Sequence, residues 1–227
     1  MKYPPIELYV WGKYACFTRP EMKVERVSYE VMTPSAARNI LQAIFWKPEF
    51  QWQIAEIRVL KPIRFASLLR NEVNSRATTS TAMRHLKGES GYYADEDRSQ
   101  RHTLCLRDVA YCIVAHVALR PDVEDDEAKY RDQFHRRVKR GQCYTTPYLG
   151  CREFTASFGP EPPLDQEMRV QDITRDLGRM LFDLDYVPGH AGRGTPKFFH
   201  AELINGVLRM PKNLYKRGGN NVSGKAE

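Results

Sequence analysis

Seven side chains that carry or can take up positive charge fall within residues 129–140: Lys129, Arg131, His135, Arg136, Arg137, Lys139 and Arg140. Such an array suits phosphate groups, which accept charge-assisted hydrogen bonds from ammonium and guanidinium donors. The stretch equally fits a solvated helix face neutralised by Asp122, Glu124, Asp125, Asp126 and Glu127 just before it, and the residues alone leave both readings open. A histidine among arginines has its neutral form favoured by like charge. Neutral imidazole beside a bound phosphate can act as a general base, although RNA contact or solvation would use His135 as well. The other histidines (His85, His102, His116, His190, His200) show no H-x-H, H-x-x-x-H or E-x-x-H spacing, and His116, inside an apolar run, reads as a core histidine. Trp11, Tyr14, Phe17, Phe45 and Trp46 interleave with Lys13, Arg19, Lys23, Arg26 and Lys47. One or two of these aromatics could stack on nucleotides, while core packing claims the rest. No P-loop, G-x-G-x-x-G or G-x-S-x-G occurs. The acids at 122–127 are nearly consecutive and cannot all face one ion, which disfavours metal-dependent cleavage. No metal and no cofactor is expected.

These groups must be positioned by the elements around them. Residues 6–17 alternate apolar and polar and predict a strand, with Gly12 allowing a bend or bulge. A basic loop (19–26) and a short strand-like stretch (27–32) follow. Thr33-Pro34-Ser35 marks a helix start, with Thr33 as cap and Pro34 at the first helical position. Ala37, Ile40, Leu41 and Ile44 line one face of that helix, which must end before Pro48. Phe50, Trp52 and Ile54 alternate, and Ile57, Val59 and Ile63 continue in shifted phase, which predicts a strand bulged near Ala55. Residues 66–101 are polar without a clean period and read as a long functional or disordered insertion. Residues 103–107 and 109–120 predict a hairpin or one bent strand. Acids before and bases after match the dipole of a helix over 126–140 closed by Gly141, with an apolar stripe of Tyr130, Phe134 and Val138. A strand is expected over 147–158, a break at the Pro-rich 159–164, a strand at 178–186, and a hairpin turning at Asn205-Gly206. The tail from Asn213 is Gly-rich, Asn-rich and basic, and reads as disordered.

The chain of 227 residues suits one large domain with an appendage. Its 35 Lys plus Arg against 28 Asp plus Glu give a formal charge of +7 and a pI near 9.2, which fits a polyanionic partner. The five cysteines (Cys16, Cys105, Cys112, Cys143, Cys151) form no C-x-x-C pair, so neither a zinc knuckle nor a disulfide framework is expected. No apolar run approaches a membrane span, and Pro4 and Pro5 interrupt the stretch a signal peptide would need. A soluble cytoplasmic protein is expected. The order strand, helix, strand, strand, helix, strand through residue 158 predicts an α+β protein: a ferredoxin-like (RRM-like) domain over 1–158 carrying the 66–101 insertion, a small C-terminal antiparallel β-sheet subdomain over 159–212, and a basic flexible tail over 213–227.

Five segments together resemble one family: WGKYACFTRPEMKVERVSYEVMTPSAARNILQAIFWKP (11–48), EIRVLKPIRF (56–65), FHRRVKRGQCYTTPYLGCREF (134–154), RDLGRMLFDLDY (175–186) and PKFFHAELINGVLRMP (196–211). It is the CRISPR-associated Cas-five family in its subtype I-C form, within the repeat-associated (RAMP) superfamily. The resemblance implies a ferredoxin-like N-terminal domain with a small C-terminal sheet, and partners in CRISPR repeat RNA and the other subunits of the type I-C effector complex. It also implies metal-independent cleavage of the repeat RNA at the base of its hairpin, by attack of the upstream ribose 2′-OH on the scissile phosphate. The implied catalytic set is a tyrosine after the first helix and a Lys-His pair at the start of the second. Here the lysine is Lys129, the tyrosine position holds Phe45 and the histidine position holds Tyr130, so that Tyr130 or His135 would have to supply the missing proton transfer. Arg19, Lys23, Arg26, Trp46, Lys47, Arg136, Arg137, Lys139 and Arg140 are the expected RNA contacts. A subunit that binds the crRNA handle without cutting remains the alternative.

Overall fold

The computed structural model describes residues 3–75, 78–88, 93–164, 167–186 and 194–215; His190 and the chain beyond 215 lie outside the described residues. Along the chain the elements are β1 (Ile6–Ala15), β2 (Arg26–Val27), α1 (Pro34–Ile44), β3 (Phe50–Val59), β4 (Phe65–Val73), α2 (Thr79–Leu86), β5 (Arg98–Leu119), α3 (Glu127–Lys139), β6 (Ser157–Gly159), β7 (Arg175–Tyr186), β8 (Gly194–Ile204) and β9 (Val207–Arg209). The strands form one mixed α/β protein's sheet in the order β6-β1-β5-β3-β9-β8-β7, with β2 and β4 pairing β5 off that path. All ladders are antiparallel except that of β2. No described helix is long and apolar enough to cross a membrane.

The apolar periods explain the layers. Ile6, Leu8 and Val10 on β1, Trp52, Ile54 and Ile57 on β3, and Tyr111, Ile113, Ala115 and Val117 on β5 face one large core. The buried stripes of α1 (Ala37, Ile40, Leu41, Ile44) and α3 (Tyr130, Phe134, Val138) close it, so both helices lie on the same face of the sheet. The alternate residues of β5, Ala110, Cys112 and Val114, are covered on the reverse face by Leu60, Trp11 and Met168, which is why β5 reads as a continuous apolar run. Thr33 Oγ1 accepts from the Ala36 N–H, with Pro34 opening α1. At the other helix, Gly141 takes a φ of +61° and lets Gln142 N–H reach the Arg137 carbonyl at 2.9 Å, a Schellman closure. The register of β3 against β5 shifts between Ile54 and Glu56, the expected bulge. Asn205 and Gly206, at φ of +48° and +74°, make the two-residue turn between β8 and β9.

Several expectations are corrected. The 66–101 stretch is not structureless: it holds most of β4, then α2 and the beginning of β5, which pairs β4 from Arg98 to Leu106. Leu68 and Ala66 alternate with Phe65, Leu69 and Val73 on the opposite side, so apolar residues on both faces cancel the period while the backbone ladder still forms. Of the two alternatives expected for 103–107 and 109–120, a hairpin or one bent strand, the single strand forms, passing through Asp108 at a φ of +50°. The strand expected over 147–158 shrinks to β6 and a single bridge between Tyr148 and Thr155, because Gly150, at a φ of +86°, turns the chain tightly against the Cys16 carbonyl. The strand at 27–32 reduces to β2 and a bridge at Ser28. Gly12 is no bulge, since β1 stays in register with β5 through it; a side chain there would collide with Leu149 and the Thr155 carbonyl. The tail is fixed as far as Tyr215, whose hydroxyl donates to Ile54 O and accepts from Ile54 N–H. The C-terminal hairpin continues the main sheet, because β9 pairs β3 from Glu56 to Arg58.

Candidate RNA-binding and catalytic site

The N-terminal turn of α3 gathers the first group of side chains. Asp126 caps the helix through its carboxylate, which accepts from Ala128 N–H at 3.0 Å. Asp125, one residue earlier, accepts from Lys129 Nζ at 2.7 Å and from the Tyr130 hydroxyl at 2.8 Å. These two donors, Lys129 first, hold the Asp125 carboxyl below its ordinary range. Burial, and then the bond to Asp125, pushes the Tyr130 hydroxyl up to about 12, so the phenol keeps its proton across the neutral range. The Tyr130 ring is only 2% exposed, and the Lys129 ammonium lies 5.5 Å from its centroid. Lys129 itself is exposed. This turn therefore presents one accessible cation, fixed from below by a carboxylate and a phenol.

Phe45 sits behind the same turn, linked to it through Phe50: the Phe45–Phe50 centroids are 5.7 Å apart and the Phe50–Tyr130 centroids 5.2 Å. Phe45 is 1% exposed, and the Arg137 guanidinium covers its ring at 5.3 Å while donating to the Ile44 carbonyl at 2.9 Å. The expectation that Phe45 could stack on RNA is thus corrected; it is a core residue under an arginine lid. Trp46, next in sequence, is 53% exposed, and Lys47 is exposed beside it.

His135 stands elsewhere. At about 100° per residue it points well away from Tyr130, on the flank where Arg131 stacks over Tyr3. Burial first and then Arg131 depress its pKa. The structure does not bring His135 to Lys129. His116 is half-buried rather than satisfied, its Nδ1 having no hydrogen-bond partner.

The predicted cations divide into two groups. Arg136 and Lys139 are exposed on α3 and Arg140 at its C-cap, with Arg137 half-buried. Arg19 stacks over Tyr29 at 4.5 Å, and Lys23 is exposed in the loop before β2. Arg26 is engaged inside the protein, facing Glu72 at 3.3 Å, Glu153 at 3.6 Å and the Cys151 sulfur at 3.4 Å. Arg70 joins the same network through Glu153 and Thr103. Arg26 thus ties the β4–β5 arm to the body and is less available to phosphate than its sequence position suggests.

Sequence reasoning missed a pocket of about 530 Å³ between the end of α1 and the loop after α3, with Trp46, Tyr144 and Tyr148 among its walls. Tyr144 lies in a segment with no periodic signal, so only its aromatic character could have flagged it. Asp125 was likewise legible only as one member of an acidic run.

A largely antiparallel sheet with two helices on one face, one of them carrying exposed cations, defines a mixed α/β protein. The chain from residue 6 to 211 matches the family described as CRISPR-associated protein (Cas_Cas5), and it belongs to that Cas5 family, in the subtype I-C form. It is 48% identical over 217 residues to the CRISPR pre-crRNA endoribonuclease Cas5d of Mannheimia succiniciproducens, covering 91% of this chain and 94% of that one. It is 46% identical over 226 residues to the CRISPR pre-crRNA endoribonuclease Cas5d of Thermus thermophilus, covering 93% of each. Among solved structures, a CRISPR-associated protein superposes with a TM-score of 0.62 at 22% identity over 91% of both chains. The functionally uncharacterized protein SMU1763c from Streptococcus mutans gives 0.61 at 20% identity, over 92% of this chain and 93% of that one. These two likenesses bear on the fold.

Proposed function

We propose that this chain is an endoribonuclease that cleaves CRISPR repeat RNA without a metal and stays bound to the crRNA as a subunit of the type I-C effector complex. The observation that carries the reading is its identity of nearly one half, along almost the whole chain, with two proteins named pre-crRNA endoribonucleases. In the proposed reaction the upstream ribose 2′-oxygen loses its proton and attacks the scissile phosphorus. The bond from phosphorus to the 5′-oxygen breaks, and that oxygen takes up a proton, leaving a 2′,3′-cyclic phosphate and a 5′-OH. Lys129 would stabilise the charge that builds on the pentavalent phosphate. Asp125 and Tyr130 would position it, and Arg136, Lys139, Arg140 and Lys47 would hold neighbouring phosphates.

A second reading, a subunit that binds the crRNA handle without cutting, is favoured by Phe45 and Tyr130, both buried, at the two positions where the family resemblance implies a tyrosine and a histidine. The β6-β1-β5-β3 order with α1 and α3 on one face supports a ferredoxin-like arrangement over 1–158, to which the strands after residue 159 add through the β3–β9 ladder. The test is a pair of repeat RNAs that differ only in a 2′-deoxy nucleotide upstream of the cut. The first reading expects the ribose form cut and the deoxy form intact. Binding of both without cleavage would establish the second.

A further inference from the structure

The pocket beside Trp46 is lined by aromatic rings and amide side chains. Tyr144 is 85% exposed. Yet its backbone is held: Tyr144 and Thr145 N–H both donate to the Ala43 carbonyl, at 2.8 and 3.2 Å. Further along the same segment, Leu149 accepts from Cys16 N–H at 3.0 Å. Two exposed aromatic residues thus line one cavity, Trp46 from the end of α1 and Tyr144 from the loop after α3. Asn39 and Gln42 add amide donors and acceptors to the wall. Among the described residues no carboxylate lines the cavity, and Lys47, Lys139 and Arg140 flank its lining residues in sequence as exposed cations.

We propose that this pocket seats one unstacked base of the bound RNA, stacked against Trp46 and Tyr144 and read on its edge by Gln42 and Asn39. Aromatic faces accept any base, whereas amide side chains discriminate among hydrogen-bonding edges. The volume lies in the ordinary range of ligand pockets, and Lys47, exposed and adjacent to Trp46 in the chain, suits a phosphate beside a flipped nucleotide. The assignment rests on the chain binding repeat RNA as proposed above. It makes this pocket, on the α1 side of the Arg137 lid, a second contact besides the Lys129 turn.

Single abasic nucleotides scanned through the unpaired parts of the repeat RNA, with affinity measured for wild type and Tyr144→Ala, test it. One position should weaken wild-type binding by about 5- to 150-fold. The same lesion should cost several-fold less in Tyr144→Ala, because only Trp46 and the two amides then remain to hold the base. Gln42→Ala should keep that coupling but lose preference for the base at that position. Tyr144 is so exposed that its variant should melt like wild type, which excludes misfolding as the cause. If wild type binds repeat RNA tightly and no abasic position couples to Tyr144, the base pocket is refuted while the RNA-processing reading stands; a pocket that takes a protein segment would give that flat scan. If wild type does not bind repeat RNA, both fall.

Discussion

Removing a single hydroxyl, in Tyr130→Phe, separates positioning from proton transfer at the α3 turn. The ring packs between Phe50 and the core and would be unchanged, so the perturbation is confined to the 2.8 Å bond to Asp125. A hydrogen bond to a charged group contributes about 1.5–3 kcal/mol. The Asp125 side chain is 40% exposed, so water recovers part of that, and the net loss should be about 1 kcal/mol. For a chain of this size such a loss lowers Tm by about 2–4 °C. Asp125 would still hold Lys129 at 2.7 Å, so cleavage should fall less than about 10-fold. A residue that moves the proton itself would instead cost ~10²–10⁴ in rate. The pH dependence adds a second readout. The folded hydroxyl lies at about 12 against 10.0 for the free side chain, so between these values the folded state binds more protons than the unfolded. Stability from this group is therefore complete below pH 10 and lost as pH rises towards 12, a loss Tyr130→Phe should lack. Thermal melting across pH and single-turnover cleavage give all three quantities. An unchanged Tm combined with a cleavage loss of ~10²–10⁴ would refute the positioning role.

Lys129→Ala should reduce cleavage by ~10²–10³ while weakening repeat binding little, since one phosphate contact is a small share of the cationic surface; filter binding and cleavage rates distinguish the two. Repeat-RNA affinity should fall with salt at a log–log slope steeper than about −2, each neutralised phosphate contributing roughly −0.7 to −0.9, and a titration with a slope near zero would remove the electrostatic argument. Burial depresses the His116 and His135 pKa values, so the unfolded chain binds more protons as pH falls through the ordinary histidine value of ~6.5; stability should decline below that pH, and His116→Gln with His135→Gln should flatten the decline in melting experiments. Gly150→Ala should destabilise by about 2–4 kcal/mol, because the left-handed φ of +86° disfavours a side chain and the new methyl would meet the Cys16 carbonyl; a Tm within error of wild type would contradict that contact.

The elements legible in the sequence were those with strong local signals. Thr33-Pro34, the Ala37–Ile44 stripe, the acid-to-base reversal of α3, the Ile54–Glu56 bulge and Asn205-Gly206 each act over a few residues, and the structure has all of them. What was not legible depends on long-range placement. The β4 ladder is masked by apolar residues on both of its faces. Gly150 turns because Cys16 lies against it across more than 130 residues of chain, which no local pattern records. The same limit applies at the site. Lys129 could be singled out from its type and from the family resemblance, but that its partners are Asp125 and Tyr130 follows from the helix cap. That Phe45 is roofed by Arg137, that Arg26 is engaged by Glu72 and Glu153, and that His135 faces the other flank also follow only from packing.

The most direct test of the central claim is incubation of the purified full chain with its cognate repeat RNA in excess EDTA, followed by mapping of both new ends. The account expects one discrete cut, a 2′,3′-cyclic phosphate on the upstream fragment, a 5′-OH on the downstream fragment, and the same rate with or without chelator. RNA bound tightly but left intact with and without Mg²⁺, or cleavage abolished by EDTA and restored by Mg²⁺, would contradict it.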